Sequence, residues 1–175
     1  SVVATSASLD VSTLSAMPLD TITCIATAID GDGGTGSNSD FATVQNRAPV
    51  VSAIISANGS NNNGVLTCID SASDPDGESP TSTYEWFNSM GSISTVNPLQ
   101  LDSSMGVYGD TIECVVTVQD GFGGAATATA THIIENSIPV VDSVVLSPNA
   151  IDASTGSVTC NETTSDADGD AVTVG

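Results

Sequence analysis

Residues 65–77 read VLTCIDSASDPDG, residues 81–88 read TSTYEWFN, and residues 109–121 read GDTIECVVTVQDG. The three runs carry Cys68, Trp86 and Cys114 in that order, separated by Asp-Pro, Asp-Gly and Tyr-Gly punctuation. Apolar and polar residues alternate along the last run, with Ile112, Cys114, Val116 and Val118 facing one way. Alternation is the period of a strand with one buried face, because successive side chains leave opposite sides of the backbone. The stretch therefore predicts three strands, with both cysteines and the tryptophan on inward positions.

This order of cysteine, tryptophan and cysteine resembles an immunoglobulin-type β-sandwich. The resemblance implies an all-β Greek-key fold in which a Cys68–Cys114 disulfide joins two sheets and Trp86 packs on the bond. One feature of antibody domains is missing: the residue two before Cys114 is Ile112 and not tyrosine. Val, Ile and Thr abound, and Gly, Asn-Gly and Asp-Gly together break the chain every 8 to 12 residues, the pattern of short strands and not of long helices. Further strands are expected at 8–12, 20–29, 41–45, 50–56, near Ile93, at 99–101 and at 125–134. The N58-G-S-N-N-N-G64 stretch is expected to be a hairpin turn or loose loop.

The rest of the chain repeats parts of this stretch. DTITCIATAIDGDGG from Asp20 matches DTIECVVTVQDGFGG from Asp110, which puts Cys24 opposite Cys114, 90 positions on. NRAPVV from Asn46 matches NSIPVV from Asn136, again 90 apart. The run ending in DPDG after Cys68 matches the run ending in DADGD after Cys160, 92 positions on. The expected organisation is a repeat of about 90 residues, the size of one immunoglobulin-like domain. Residues 1–45 read as the C-terminal half of one repeat, 46–135 as a complete repeat, and 136–175 as the N-terminal half of the next. Joining the last segment of one copy to the first segment of another would complete a domain except for the counterpart of Tyr84–Met90, a gap that favours successive stretches of one long polypeptide over separate complementing subunits.

The chain has 175 residues, one Lys or Arg (Arg47), 21 Asp or Glu, and a formal charge of −20. Nucleic acid and anionic lipid are repelled by such a surface, since binding them needs cations to displace counterions. With 39% apolar and only 13% charged residues, it is not a disordered acidic tail. No apolar run approaches the length of a membrane helix, and any leader or anchor is expected outside this stretch.

Four cysteines allow three pairings. With Cys68 and Cys114 paired by the sandwich pattern, Cys24 and Cys160 fall in half-repeats on opposite sides of the complete one. A sandwich is about 30–40 Å long, given about 3.3 Å per strand residue, whereas a disulfide needs Cα atoms within about 7 Å. Cys24 and Cys160 are thus expected to bond to neighbouring copies, or else to be buried thiols. Disulfides place the chain outside the cytoplasm.

SDADGDAVT, GDTIECVVTVQDG and the N-x-x-P-V-V linkers together resemble the tandem immunoglobulin-like repeats, of the PKD and cadherin-like types, of large bacterial and archaeal surface proteins. The resemblance spans the whole chain. It implies an extracellular rod, stalk, adhesin or filament whose copies meet head to tail.

The chemistry within reach is acidic. In this fold the loops after the two cysteine strands share one end of the sandwich, so Asp74, Asp76 and Glu78 should approach Asp120 near Asn46. Asp30 and Asp32 stand in the first half-repeat, and Asp166, Asp168 and Asp170 in the last. Clustered carboxylate and amide oxygens suit a hard cation such as Ca²⁺; the plainer reading is Asp in its ordinary turn role. Asn58 and Asn161 open N-x-S/T glycosylation triplets. Catalysis finds little support: the one histidine, His132, lies in a threonine-rich run, lysine is absent, and no Cys/His spacing fits zinc. The expected function is structural, a repeat segment of an extracellular filament or cell-surface rod. The alternative is an adhesin or stalk module that binds glycan or protein.

Overall fold

The computed structural model describes residues 4–175. Eleven strands are present among them, with no α-helix. They are β1 (Thr21–Ile29), β2 (Thr35–Thr43), β3 (Val50–Asn58), β4 (Val65–Ser73), β5 (Thr81–Asn88), β6 (Gly91–Ser94), β7 (Leu99–Gln100), β8 (Thr111–Gln119), β9 (Ala125–Ile133), β10 (Val140–Ser147) and β11 (Thr159–Ser165). The order β3-β4-β7 makes a three-stranded sheet and β6-β5-β8-β9 a four-stranded one, while β1-β2 and β10-β11 form separate two-stranded sheets. The registers resolved for β1-β2, β4-β7, β5-β6 and β10-β11 are all antiparallel.

By its contacts the chain forms two compact units. One runs up to Val50 and adds Ala72–Thr81 and Val118–Ala126; the other comprises Val51–Ser71, Ser82–Thr117 and Thr127–Gly175.

The second unit holds most of the buried core. Cys68 on β4 bonds to Cys114 on β8 with Cα atoms 6.4 Å apart, joining the three-stranded sheet to the four-stranded one. Leu66, Trp86, Leu99, Leu101, Ile112 and Val116 are buried around that connection. β8 is buried at every second residue, as its alternation demands. On β9 the inward positions are the alanines 126, 128 and 130, and they are only half-buried. β4 extends beyond its apolar run, and Asp70 there accepts from the hydroxyls of Ser82 and Tyr84 on β5.

The first unit holds the β1-β2 hairpin, which is exposed almost throughout. Residues 8–12 are not the expected strand. Asp10 takes the Ser12 N–H at 3.0 Å and the Ser12 hydroxyl at 2.7 Å, and Val11–Thr13 makes one 3₁₀ turn. A short acidic side chain that bonds its own backbone offers the chain an alternative to a sheet ladder.

Hydrogen bonds recur at the offsets read in the sequence. Leu19 N–H donates to Val44 O and Val44 N–H to Asp20 O, as Gly109 does to Ile134 and Ile134 to Asp110. Asp20 Oδ2 accepts the Met17 N–H at 2.9 Å, and Asp110 Oδ2 accepts the Val107 N–H at 3.0 Å. Each bond has its counterpart 90 positions on. The turn residue is Gly109 at φ 87° in one case and Leu19 at φ 71° in the other.

Candidate functional site

The β4-β5 loop is built on an Asx turn. Asp74 Oδ1 accepts the Asp76 N–H at 2.7 Å, and Gly77 N–H returns to Asp74 O at 3.2 Å. Gly77 stands at φ 91°, where a residue with a Cβ is strained. The turn points Asp76 at the linker between β2 and β3. There the Arg47 N–H donates to Asp76 Oδ2 and Arg47 Nε to Asp76 Oδ1, both at 2.7 Å, while a terminal guanidinium nitrogen donates to Pro75 O. The backbone bond and then the guanidinium hold the Asp76 carboxyl below its ordinary range. The chain's single Lys or Arg thus serves as an internal counterion to this loop.

The β8-β9 turn reaches the same linker. Asp120 Oδ1 accepts the N–H groups of Phe122 and Gly124 at 2.8 Å, and its Oδ2 accepts Asn46 Nδ2 at 2.9 Å. The Asn46 amide is the main reason the Asp120 carboxyl is held low. The approach is close: a Cβ on Gly124 would meet Asp120 Oδ2 at 2.1 Å and Ala48 Cα at 2.9 Å.

Four buried oxygens around this linker accept no hydrogen bond: Asn46 Oδ1, Asp74 Oδ2, and both carboxylate oxygens of Glu78. Carboxylate oxygens of Asp74, Asp76 and Glu78 lie within 4.8 Å of one another. Burial, and then the adjacent Asp74, push the Glu78 carboxyl up. Buried oxygens without donors are costly, and an all-oxygen set is what a hard cation such as Ca²⁺ takes as ligands. Asp74, Asp76 and Glu78 thus gather carboxylate oxygens of the kind a hard cation takes, with Asp76 already shared with Arg47 and Asp120 bonded to Asn46.

The last acidic loop has the same turn. Asp166 Oδ1 accepts the Asp168 N–H at 2.8 Å, Gly169 N–H returns to Asp166 O at 3.2 Å, and Asp168 accepts the N–H of Ser137. Ser137 and Asp168 occupy the places of Arg47 and Asp76. Asp166, Asp168 and Asp170 form a second group within 4.8 Å, without a buried oxygen that lacks a partner among the described residues. Asp30 spends its Oδ1 on the N–H groups of Asp32 and Gly34, the turn role that Asp120 also plays. Among the described residues neither Asp30 nor Asp32 belongs to a group of three acids.

Cys24 on β1 and Cys160 on β11 are free and exposed. Cys24 pairs across its hairpin with Asp40, and Cys160 with Leu146. Around Cys160 the face carries Val144, Leu146 and Val158, each about half exposed or more, and is interrupted by Glu162 opposite Val144. Around Cys24 it carries Ile22, Ala26, Ala28 and Ala42, interrupted by Asn38 and Asp40. Asn58 and Asn161 are both exposed. His132, half-buried, sets Nε2 at 3.3 Å from Ser60 O.

Arg47 is the participant that motif reading missed. Its signal was its solitude: one cation among 21 acids is bound to find a carboxylate.

No family model matches the chain, and no curated protein matches it.

Proposed function

We propose that this chain is a structural segment of an extracellular filament or rod, built from tandem immunoglobulin-like β-sandwiches of about 90 residues that meet head to tail. One observation carries the reading. Cys24 and Cys160 occupy the positions of the bonded pair Cys114 and Cys68, on hairpins that repeat the corresponding strands, and both are exposed. In the second unit the same positions are buried against each other across two sheets. A sheet with an exposed face and open edges recruits further strands, and a neighbouring repeat, on the same polypeptide or on a second copy, supplies the matching half. A contact of this kind, head to tail and not closed, propagates into a fibre. The free carboxylate oxygens of Asp74 and Glu78 add a Ca²⁺ site that stiffens the junction between neighbouring sandwiches.

Non-reducing and reducing gels of the purified chain, with electron micrographs of the same sample, test the assembly. A ladder that collapses to one small species on reduction, and that disappears in Cys24→Ser and in Cys160→Ser, is the expected result. A small species without reductant, with no fibres in the micrographs, overturns it.

A further inference from the structure

The loop that joins β3 to β4 is closed on itself at its base. Gly64 N–H donates to Asn61 O at 3.0 Å, and a Cβ on Gly64 would meet Gly59 O at 2.0 Å. The β7 side holds it too: Gln100 Nε2 donates to Asn63 O at 2.8 Å, and Leu101 N–H to Gly64 O at 2.9 Å. From this fixed base the loop bonds in two directions. Ser60 O accepts the N–H of Glu135, in the linker after β9, at 2.8 Å. Asn62, 2% exposed, donates its Nδ2 to Ala167 O at 3.0 Å. Ala167 lies in the acidic loop after β11, where Asp168 accepts the N–H of Ser137, itself 5% exposed. The linker is thus bonded at Glu135 to the loop before it and at Ser137 to the loop after it. Asn62 joins those two loops directly.

We infer that the β3-β4 loop is the surface by which the complete repeat grips the repeat that follows it, and that the residue after the linker asparagine decides whether this grip forms. Ala167 stands 92 positions after Pro75, in the same Asp-x-Asp-Gly turn. In the complete repeat that carbonyl is taken from within: the guanidinium of Arg47, in N46-R-A-P, donates to Pro75 O while Nε holds Asp76. A guanidinium does both because it carries five N–H donors in a rigid fork. In N136-S-I-P a serine stands at that place, and its hydroxyl reaches only Asp168. The Ala167 carbonyl is left for Asn62, whose buried amide needs a protein partner. Arginine at this position closes the acidic turn onto its own repeat, and serine leaves it open to the preceding one. The contact is made by amide, hydroxyl and backbone groups, so it holds without a cation. The inference rests on the tandem-repeat reading and needs neither fibres nor disulfides between copies.

Residue-by-residue amide exchange of the full chain tests it, in chelator and with Cys24→Ser and Cys160→Ser in every protein compared. Asn62→Ala should speed exchange at Ser137 and Asp168 by about tenfold, the loss expected from one buried bond, and leave β8 unchanged. Asn62→Asp, which keeps the size and removes the donor, should do the same. No acceleration, or acceleration spread equally to β8, overturns the grip. Ser137→Arg tests the linker rule with the β3-β4 loop intact. Its guanidinium should take Ala167 O, and the side-chain amide of Asn62 should then exchange like a solvated one. An Asn62 amide as protected as in the parent overturns the rule. Electron micrographs of the parent separate this from the filament reading. Fibres from a chain whose junction ignores Asn62→Ala sink the grip and leave the filament standing. A junction that responds in a chain that makes no fibres does the reverse.

Discussion

The side-chain amide of Asn97 takes the place of a strand beside Cys68. Its Oδ1 accepts the Cys68 N–H at 3.0 Å and its Nδ2 donates to Cys68 O at 2.8 Å. The β4-β7 ladder is two residue pairs long, Val65 with Gln100 and Leu66 with Leu99. Asn97 carries the pairing two residues further, to the level of the disulfide. Cys68 is 2% exposed, so water is a poor substitute.

Asn97→Ala should destabilise the protein by about 2–3 kcal/mol, because two buried backbone groups lose their partner at once. Asn97→Asp should be at least as damaging, since it keeps an acceptor but sets a carboxylate against Cys68 O. Urea denaturation of the three proteins checks this. Equal midpoints would mean that the amide contributes nothing.

Trp86 is 0% exposed on the central β5 strand of the four-stranded sheet. Trp86→Ala should cost about 3–5 kcal/mol, the range for emptying a large aromatic site. Cys68 and Cys114 close a loop with a sequence separation of 46. Reducing that bond should cost about 4 kcal/mol on the chain-entropy estimate. Thermal melts of the variant, and of the parent with and without reductant, measure both.

Leu19 does at φ 71° what Gly109 does at φ 87° in the matching turn. Left-handed backbone costs a residue with a Cβ about 1–2 kcal/mol, and Leu19 is 67% exposed, so little packing offsets it. Leu19→Gly should stabilise the first unit by about 0.5–1 kcal/mol, once the extra freedom of glycine in the unfolded chain is subtracted. Amide exchange in the β1-β2 hairpin would slow. Faster exchange would mean that the leucine side chain does more than the backbone strain undoes.

Acid should loosen the linker. Asp76 and Asp120 both have folded-state pKa values below their unfolded ones, through Arg47 and Asn46 respectively. Such groups contribute stability that is present above the unfolded value, about 3.9, and is lost as pH falls through the folded value. Arg47→Ala should shrink the acid-dependent part of the melting temperature below about pH 4 and leave the alkaline side unchanged. An identical acid profile in the variant would remove Arg47 from the account.

Glu78 has the opposite sign. Its folded-state pKa is raised by burial and by Asp74, so ionising it costs folding energy, and stability falls as pH rises from the unfolded value, about 4.3, through the folded one. Glu78→Gln should therefore raise the melting temperature at neutral pH in chelator. With millimolar Ca²⁺ the order should reverse, because the parent gains from binding and the variant does not. Melting temperatures of the parent that are the same in chelator and in Ca²⁺ would exclude the cation.

The features legible in the chain's own pattern are local. Alternation from Thr111 to Val118 marked β8 and its buried face, Thr81–Asn88 marked β5, and Asp-Gly and Asp-Pro marked the turns. These signals are legible because side-chain direction and turn geometry depend on neighbours in the chain. The Cys68–Cys114 pairing came with the resemblance those runs carry, and the bond is present. The tertiary structure decided what depends on residues far apart in sequence. It set Arg47 on Asp76, 29 positions away, Asn46 on Asp120, 74 away, and Asn62 on Ala167, 105 away. It gathered Asp74, Asp76 and Glu78 and kept Asp120 and Asp30 in their own turns. It also turned 8–12 from a strand into a 3₁₀ turn, since one Asp10 side chain within bonding reach of Ser12 outweighs a short run of β propensity. Periodicity says which way a residue faces; only the closed fold says what it faces.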